Sequence, residues 1–386
     1  MTGLYIHIPF CKSRCIYCGF YSTTRLDRQN RYVEAVCREM ELRKSEVDAV
    51  GSVYLGGGTP SALTEEQLCR IFESIERNYI YNNVYSLPSL HGRAGGGFGG
   101  GPEITLECNP DDVTDEFCAT LRQLPVNRIS MGAQTFDDAR LKFLRRRHSS
   151  RQIAEAVSRL RHAGIENISI DLMFGFPGET LEDLEKDIEC ALGLNVEHIS
   201  AYALMYEEET ALFELWKSGK IAKIDEELMR KMYYRLIDCL ENAGFEHYEI
   251  SNFAKRGFHS RHNSSYWNET PYVGLGAAAH SYDGKTRSWN VSDIEAYTAA
   301  IERGELPSES EEIDIDTRYN DLITSALRTR EGIHLPSLSE KHRKYLLENA
   351  KNALRNGFLS IDGDRIHLSR NALFISDSIL SDLILV

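Results

Sequence analysis

L-Y-I-H-I-P-F-C-K-S-R-C-I-Y-C, Leu4–Cys18, is the stretch whose reading decides the fold. Leu4, Ile6 and Ile8 alternate with Tyr5 and His7, the period of a strand, and Pro9 ends the run. The thiols of Cys11, Cys15 and Cys18 then follow with three and two residues between them. Three thiolates on so short a loop can take three corners of a cubane 4Fe-4S cluster and leave the fourth iron without a protein ligand. A small molecule with an amino and a carboxylate group can chelate that open iron, and a sulfonium held beside it can accept an electron from the reduced cluster. The alternatives are a structural zinc site completed by His7 or a later residue, and three unconnected thiols. Zinc knuckles usually carry two separated Cys or His pairs, and no second pair follows here.

Moving outward, β-rich runs alternate with amphipathic helical stretches through the first half of the chain, the pattern of repeated βα units on a parallel sheet. Strands are expected at Leu4–Ile8, Val53–Leu55, Glu103–Glu107, Arg128–Met131, Asn167–Met173 and His198–Leu204. Helices are expected at Tyr32–Lys44, Glu65–Arg77, Ile153–Ala163 and Leu181–Leu192. Six units fall short of the eight that close a βα barrel, so the α/β fold class is a partial (β/α)6 barrel. Its chemistry should gather after the carboxyl ends of the strands. There lie Cys11, Gly56-Gly57-Gly58-Thr59, Glu107, Gln134, Asp171 and Tyr202.

Beyond this barrel, assigned to residues 1–215, a connecting segment 216–308 holds a helix Asp225–Asn242, a strand-like His247–Ile250 and a glycine-rich Gly274-Leu275-Gly276. Residues 309–386 are mostly helical and end in F-L-S-I-D-G-D-R-I-H-L, with Asp362-Gly363 as the turn pair of a hairpin. Helices followed by a hairpin suggest a smaller winged-helix-like domain. It carries 13 acidic against 10 basic residues, so packing or a lid suits it better than DNA binding. Seven glycines in ten residues, Gly92–Gly101, read as a mobile surface insertion rather than a phosphate loop, since no Lys-Ser/Thr follows.

The net charge of -14 excludes a nucleic-acid role over most of the surface. Cys37, Cys69, Cys108, Cys118, Cys190 and Cys239 are scattered singly in apolar contexts, as buried thiols in a reducing compartment are. The N-terminus lacks a cationic region, and no apolar run reaches membrane length, which places the protein in the cytoplasm.

The C-x-x-x-C-x-x-C loop resembles that of the radical S-adenosylmethionine (SAM) superfamily. Y-I-H-I-P-F-C, L-G-G-G-T-P-S, E-C-N-P, I-S-M-G-A-Q-T-F, D-L-M-F-G-F-P-G-E-T, I-S-A-Y-A-L and H-N-S-S-Y-W together resemble the oxygen-independent coproporphyrinogen III oxidase family. The likeness runs from about Tyr5 to Tyr282 and more weakly beyond. It implies a 4Fe-4S cluster on Cys11, Cys15 and Cys18, and SAM held by Tyr5, Tyr17, Gly57, Gly58, Thr59, Glu107, Gln134, Arg146, Asp171 and Ala203. In that reading the glycines and Thr59 meet the methionine amino group, and Glu107 pairs with the ammonium or a ribose hydroxyl. Gln134, Arg146 and Asp171 fix the ribose and carboxylate, while Tyr5 and Tyr17 pack near the cluster and the adenine.

The same family contains decarboxylating oxidases and a branch that binds haem and hands it to other proteins. The oxidases resemble C-x-x-x-C-x-x-C-x-C after an N-terminal extension; here the additional position is Phe20, and Cys11 comes almost at once. R-H-N-S-S-Y-W, Arg261–Trp267, is similar to the H-N-x-x-Y-W element of the haem chaperone branch. The resemblance therefore implies haem as cargo, with His262 as candidate axial ligand and Tyr266 and Trp267 as an aromatic wall. The rival is an oxidase that converts the propionates of coproporphyrinogen III to vinyl groups. A third reading is a cluster-bearing regulatory protein without porphyrin. The expected partners are a haem-accepting apoprotein, with the membrane one candidate location for it, and an electron donor for the cluster; a homodimer is left open.

Overall fold

The computed structural model describes residues 1–80 and 101–385. Six parallel strands, β1 (Thr2–Ile8), β2 (Val50–Gly57), β3 (Glu103–Cys108), β4 (Arg128–Gln134), β5 (Asn167–Phe174) and β6 (His198–Ala203), stand side by side in sequence order. Between and after them come α1 (Gln29–Leu42), α2 (Glu65–Ile75), α3 (Asp115–Gln123), α4 (Asp138–Phe143), α5 (Ser150–His162), α6 (Leu181–Gly193), α7 (Ala211–Lys217) and α8 (Glu226–Asn242). The expected partial barrel is the fold.

Most of these helices begin where the sequence supplies a cap, whereas α1 follows a short 3-10 turn with no capping side chain at Arg28. Thr64 and Gln67 form a reciprocal capping box on α2, Thr180 and Asp183 do the same on α6, and Asp225, expected as the first helical residue, accepts the N–H of Leu228 to cap α8. The apolar faces bury Val33, Ile71, Leu121, Leu160, Ile188 and Leu236 against Leu55, Leu106, Ile129, Ile170 and Ile199 of the sheet. At roughly 25 cal/mol per Å² of apolar surface removed from water, this layer is the main source of the barrel's stability.

The sheet reaches further than six strands. Among the described residues it has twelve, because β7 (Glu246–Glu249) and β8 (Asn252–Ala254) add antiparallel beside β6, and β9 (Tyr272–Leu275) pairs parallel with the other edge of β1. β10 (His280–Tyr282), β11 (Thr286–Asn290) and β12 (Ser308–Glu312) continue from β9. Of the glycine-rich Gly274-Leu275-Gly276, the first two residues end β9 and Gly276, at φ +102°, begins the bend after it. A Cβ on Gly274 would lie 2.0 Å from the His280 carbonyl oxygen, so glycine there permits the β9–β10 approach.

The C-terminal residues build a separate core of Tyr319, Ile323, Leu346, Ile366 and Leu383. Three short strands, β13 (Ile333–His334), β14 (Leu359–Asp362) and β15 (Arg365–Leu368), pair in the order β13-β15-β14 beside helices Ile315–Ala326 and Glu340–Asn349, the expected helix-and-hairpin arrangement. The turn is one residue later than read: Asp362 pairs with Arg365, leaving Gly363 at φ +55° and Asp364 as the turn. Residues 92–100 of the glycine-rich run lie outside the described residues. Of the six scattered cysteines only Cys108 and Cys118 are buried; Cys190 is exposed, and Cys37, Cys69 and Cys239 are half-buried on helices. An amphipathic helix surrounds a small residue with apolar neighbours in sequence even when it sits outside the stripe. No helix among the described residues is long and apolar enough to cross a membrane.

Candidate functional site

The cysteine loop leaves β1 and is tied at its base. Cys11 N–H donates to the Thr23 carbonyl (2.9 Å) and Thr23 N–H to that of Pro9 (2.7 Å). Ile16 plugs a small apolar cluster of Leu144, Met173, Phe176, Leu204 and Leu212, which fixes the middle of the loop. The three thiols stay half-buried, unpaired by disulfides, and face one cleft of about 170 Å³ with Tyr17, Gly57, Gly58, Thr59, Glu107, Gln134, Arg146 and Asp171. Tyr5 and Ala203 do not line it. Tyr5 turns into the barrel and bonds His7 Nδ1 (2.9 Å), and Ala203 ends β6 next to Tyr202, which is 41% exposed.

The donor set suits a cluster. Thr59 Oγ1 donates to Cys11 Sγ (3.5 Å) and Arg146 Nη1 to Cys15 Sγ (3.4 Å), so a hydroxyl and a guanidinium already attend two of the thiols. No three His, Cys, Asp or Glu side chains among the described residues converge tightly enough to hold a single metal ion.

Arg146 is the hub of the cleft. Its Nη2 donates to Asn109 Oδ1 (2.5 Å) and to the Gly132 carbonyl (2.6 Å), and Asn109 Nδ2 donates on to Thr59 Oγ1 (3.4 Å). A Cβ on Gly132 would lie 2.8 Å from Arg146 Nη2, so that glycine seats the guanidinium. Asn109 belongs to the E-C-N-P motif, and the motif itself was the signal that could have found it. Beside it, Asp112 accepts from Lys12, Ser61 and Arg147, locking the cysteine loop to the turn after β3.

The glycines after β2 answer first to the fold. A Cβ on Gly58 would stand 2.6 Å from the Ile8 carbonyl oxygen and one on Gly57 2.3 Å from the His7 ring. Gly58 N–H donates to Ile8 (2.9 Å) and Thr59 N–H to Phe10 (2.8 Å), so these amides hold the start of the cysteine loop. Glu107 accepts from Gly57 N–H (3.1 Å) and from Tyr54 OH (2.7 Å); burial pushes its pKa up to about 7. Burial likewise pushes Asp171 up to about 6. Gln134 is buried at φ +71°, beyond a register shift in β4, an uncommon conformation for a residue with a side chain.

One residue escaped the sequence reading. Arg128, at the start of β4, is 1% exposed, and its Nε and Nη1 have no hydrogen-bond partner. Its charge lies within the barrel, where it favours the ionised forms of Asp171 and Glu107 and opposes protonation of His262. Its place in the alternation, two residues before Ser130, was the available signal.

The H-N-S-S-Y-W element forms α9 (Arg261–Trp267), at the opposite end of the barrel from the cleft. His262 is 1% exposed; its Nδ1 bonds Ser52 Oγ (2.9 Å) and its Nε2 bonds Tyr266 OH (2.9 Å). The structure therefore does not present His262 as an open ligand, and it separates the H-N-S-S-Y-W residues from the cluster residues.

A model of the radical SAM superfamily matches residues 5–191. A haem chaperone HemW of Bacillus subtilis is 35% identical over 350 residues, covering 90% of this chain and 88% of that protein. The haem chaperone HemW of Mycobacterium tuberculosis is 33% identical, covering 99% and 94%. The chain belongs to the HemN/HemW-like family of radical SAM proteins. The family's fold is also seen in coproporphyrinogen III oxidase HemN from Escherichia coli, a radical SAM enzyme, with a TM-score of 0.80 at 20% identity over 99% of this chain and 90% of that one. Membership in this family implies a 4Fe-4S cluster and SAM. Phe20, at the additional cysteine position of the oxidase pattern, lines the cleft and is 70% exposed.

Proposed function

We propose that this chain is a haem chaperone of the radical SAM type, which binds haem and passes it to acceptor apoproteins. The observation that carries the reading is Phe20: the cleft offers an exposed phenyl ring where the oxidases have a further thiol, and the near-full-length relatives carry the chaperone name. Cys11, Cys15 and Cys18 would hold the cluster, which supplies one electron at a time when bound. Arg146 would neutralise thiolate and carboxylate charge beside it, with Asn109 and Gly132 keeping the guanidinium from turning away. Glu107 and Asp171, poised near neutrality, would take the ammonium and ribose hydroxyls of SAM, and Gln134 would add an amide from its fixed backbone. Gly57, Gly58, Thr59 and Tyr17 would line the rest of that pocket, with Tyr5 and Ala203 behind that lining. His262 would be the haem ligand, with Tyr266 and Trp267 beside the macrocycle.

The test is an anaerobic assay of the reconstituted protein with coproporphyrinogen III, SAM and reductant, beside a haem titration of the same sample. Saturable haem binding without protoporphyrinogen formation is expected. Turnover would establish the oxidase instead, and neither result would leave a regulatory cluster protein.

A further inference from the structure

Helix α9 is held against the amino end of the barrel by a buried acceptor. Glu103, the first residue of β3, takes the N–H of His262 on Oε1 (3.0 Å) and that of Arg261 on Oε2 (3.0 Å), and the hydroxyl of Ser260 reaches Oε1 at 3.4 Å. Glu103 is 7% exposed, and the groups that meet its oxygens are these two backbone N–H groups and the Ser260 hydroxyl. A charged group buried this way is costly unless its hydrogen bonds are made, so the carboxylate and the helix hold each other in place. From the seated helix the His262 ring reaches β1 and β2. Its ring stacks on Tyr54 at 5.1 Å and lies 6.3 Å from Tyr5, and Gly3 leaves room for it on β1.

The segment is bounded on both sides by residues of positive φ. Gly257 at φ +87° precedes it, and Glu269 at φ +58° follows it, an unfavourable backbone for a residue with a Cβ. Glu269 is clasped from outside by Arg318 of the C-terminal unit at 2.7 Å. Tyr266, one turn on and on the same face as His262, is 40% exposed and meets the imidazole through its hydroxyl.

We propose that α9 is a latched plug: while it is seated His262 is withheld, and haem reaches that imidazole only after the helix leaves the barrel, with Glu103 as the latch. This rests on the haem-carrying reading above. Both imidazole nitrogens are committed in the seated state, and a ligand to haem iron must free one of them. Opening must therefore precede ligation, and in kinetic terms the bound form is selected from a minor open population.

The test is stopped-flow haem binding by the full chain, with hydrogen exchange of the amides of residues 261–267 measured without haem. In the unmodified protein the observed rate should saturate with haem concentration at the opening rate. Glu103→Gln weakens the latch without altering shape, and should raise that plateau at least tenfold and speed exchange across α9. Ser52→Ala, which frees Nδ1 alone, should do so to a smaller extent and guards against a folding defect in the first variant. His262→Ala should lose the haem spectrum. Linear, unsaturating rates unchanged by Glu103→Gln, in a protein that still binds haem through His262, would overturn the plug and leave the chaperone reading intact. Absence of haem binding in the unmodified protein would refute the functional reading and the plug with it.

Discussion

Replacing Glu107 by Gln removes one charge from the cleft and keeps the shape of the side chain. Glu107 titrates at about 7 because burial disfavours its charge, and Asp171 at about 6 for the same cause. If the ammonium and hydroxyls of SAM bind only the ionised carboxylates, affinity follows the fraction ionised. Between pH 7.5 and pH 6, ionised Glu107 falls from about three quarters to about one tenth and Asp171 from nearly all to about half. The product is a loss of about fifteenfold, or about 1.6 kcal/mol, about three quarters of it from Glu107. The sign is fixed: a raised carboxylate pKa means that binding strengthens as pH rises through it. Anaerobic calorimetric titration of the reconstituted protein with SAM at four pH values measures this directly. In Glu107→Gln the affinity should be lower at pH 7.5, and the remaining pH dependence should shrink to the roughly twofold share of Asp171. A flat profile in the unmodified protein, or an equal slope in the variant, would refute the assignment of Glu107 to SAM.

Gly58→Ala forces a Cβ to 2.6 Å from the Ile8 carbonyl and should cost about 1–3 kcal/mol, seen as a lowered Tm of the protein before cluster loading. Cys15→Ala should abolish the cluster, and iron analysis after reconstitution showing a full complement would remove Cys15 from the ligand set. Acid should destabilise the fold through its buried imidazoles. Burial lowers His7 to about 4 and His262 to about 3, so the unfolded chain binds more protons below pH 6.5 and stability is lost as pH falls. Each contributes about 2 kcal/mol of that loss at pH 5, measurable by denaturant titration, and His262→Gln should reduce the slope.

The barrel was legible because each strand sets apolar residues at alternate positions and most of its helices open on a cap such as Thr64 or Thr180. The cysteines were legible because their spacing alone carries cluster chemistry. What the sequence hid were relations across the barrel. Arg128 reads as a surface charge until β4 is seen to aim it inward, and Gly58 reads as a ligand cradle until Ile8 is found against it. His262 looked like an open ligand because H-N-S-S-Y-W names residue types without saying which face of α9 meets Glu103. The additional strands were missed because β8 and β10 are three residues each, too short to show a period.

β1 stands between β2 and β9, with Gly3 paired to Ser52 on one side and to Tyr272 on the other. β1 leaves the ribosome well before β9 and so gains its second neighbour only after β9 has been made. Until Tyr272–Leu275 emerges, the strand that carries the cysteine loop has one open edge. Contacts so distant along the chain close slowly. The order of synthesis therefore gives the nascent protein an interval in which the cysteine loop is present while its barrel is unfinished.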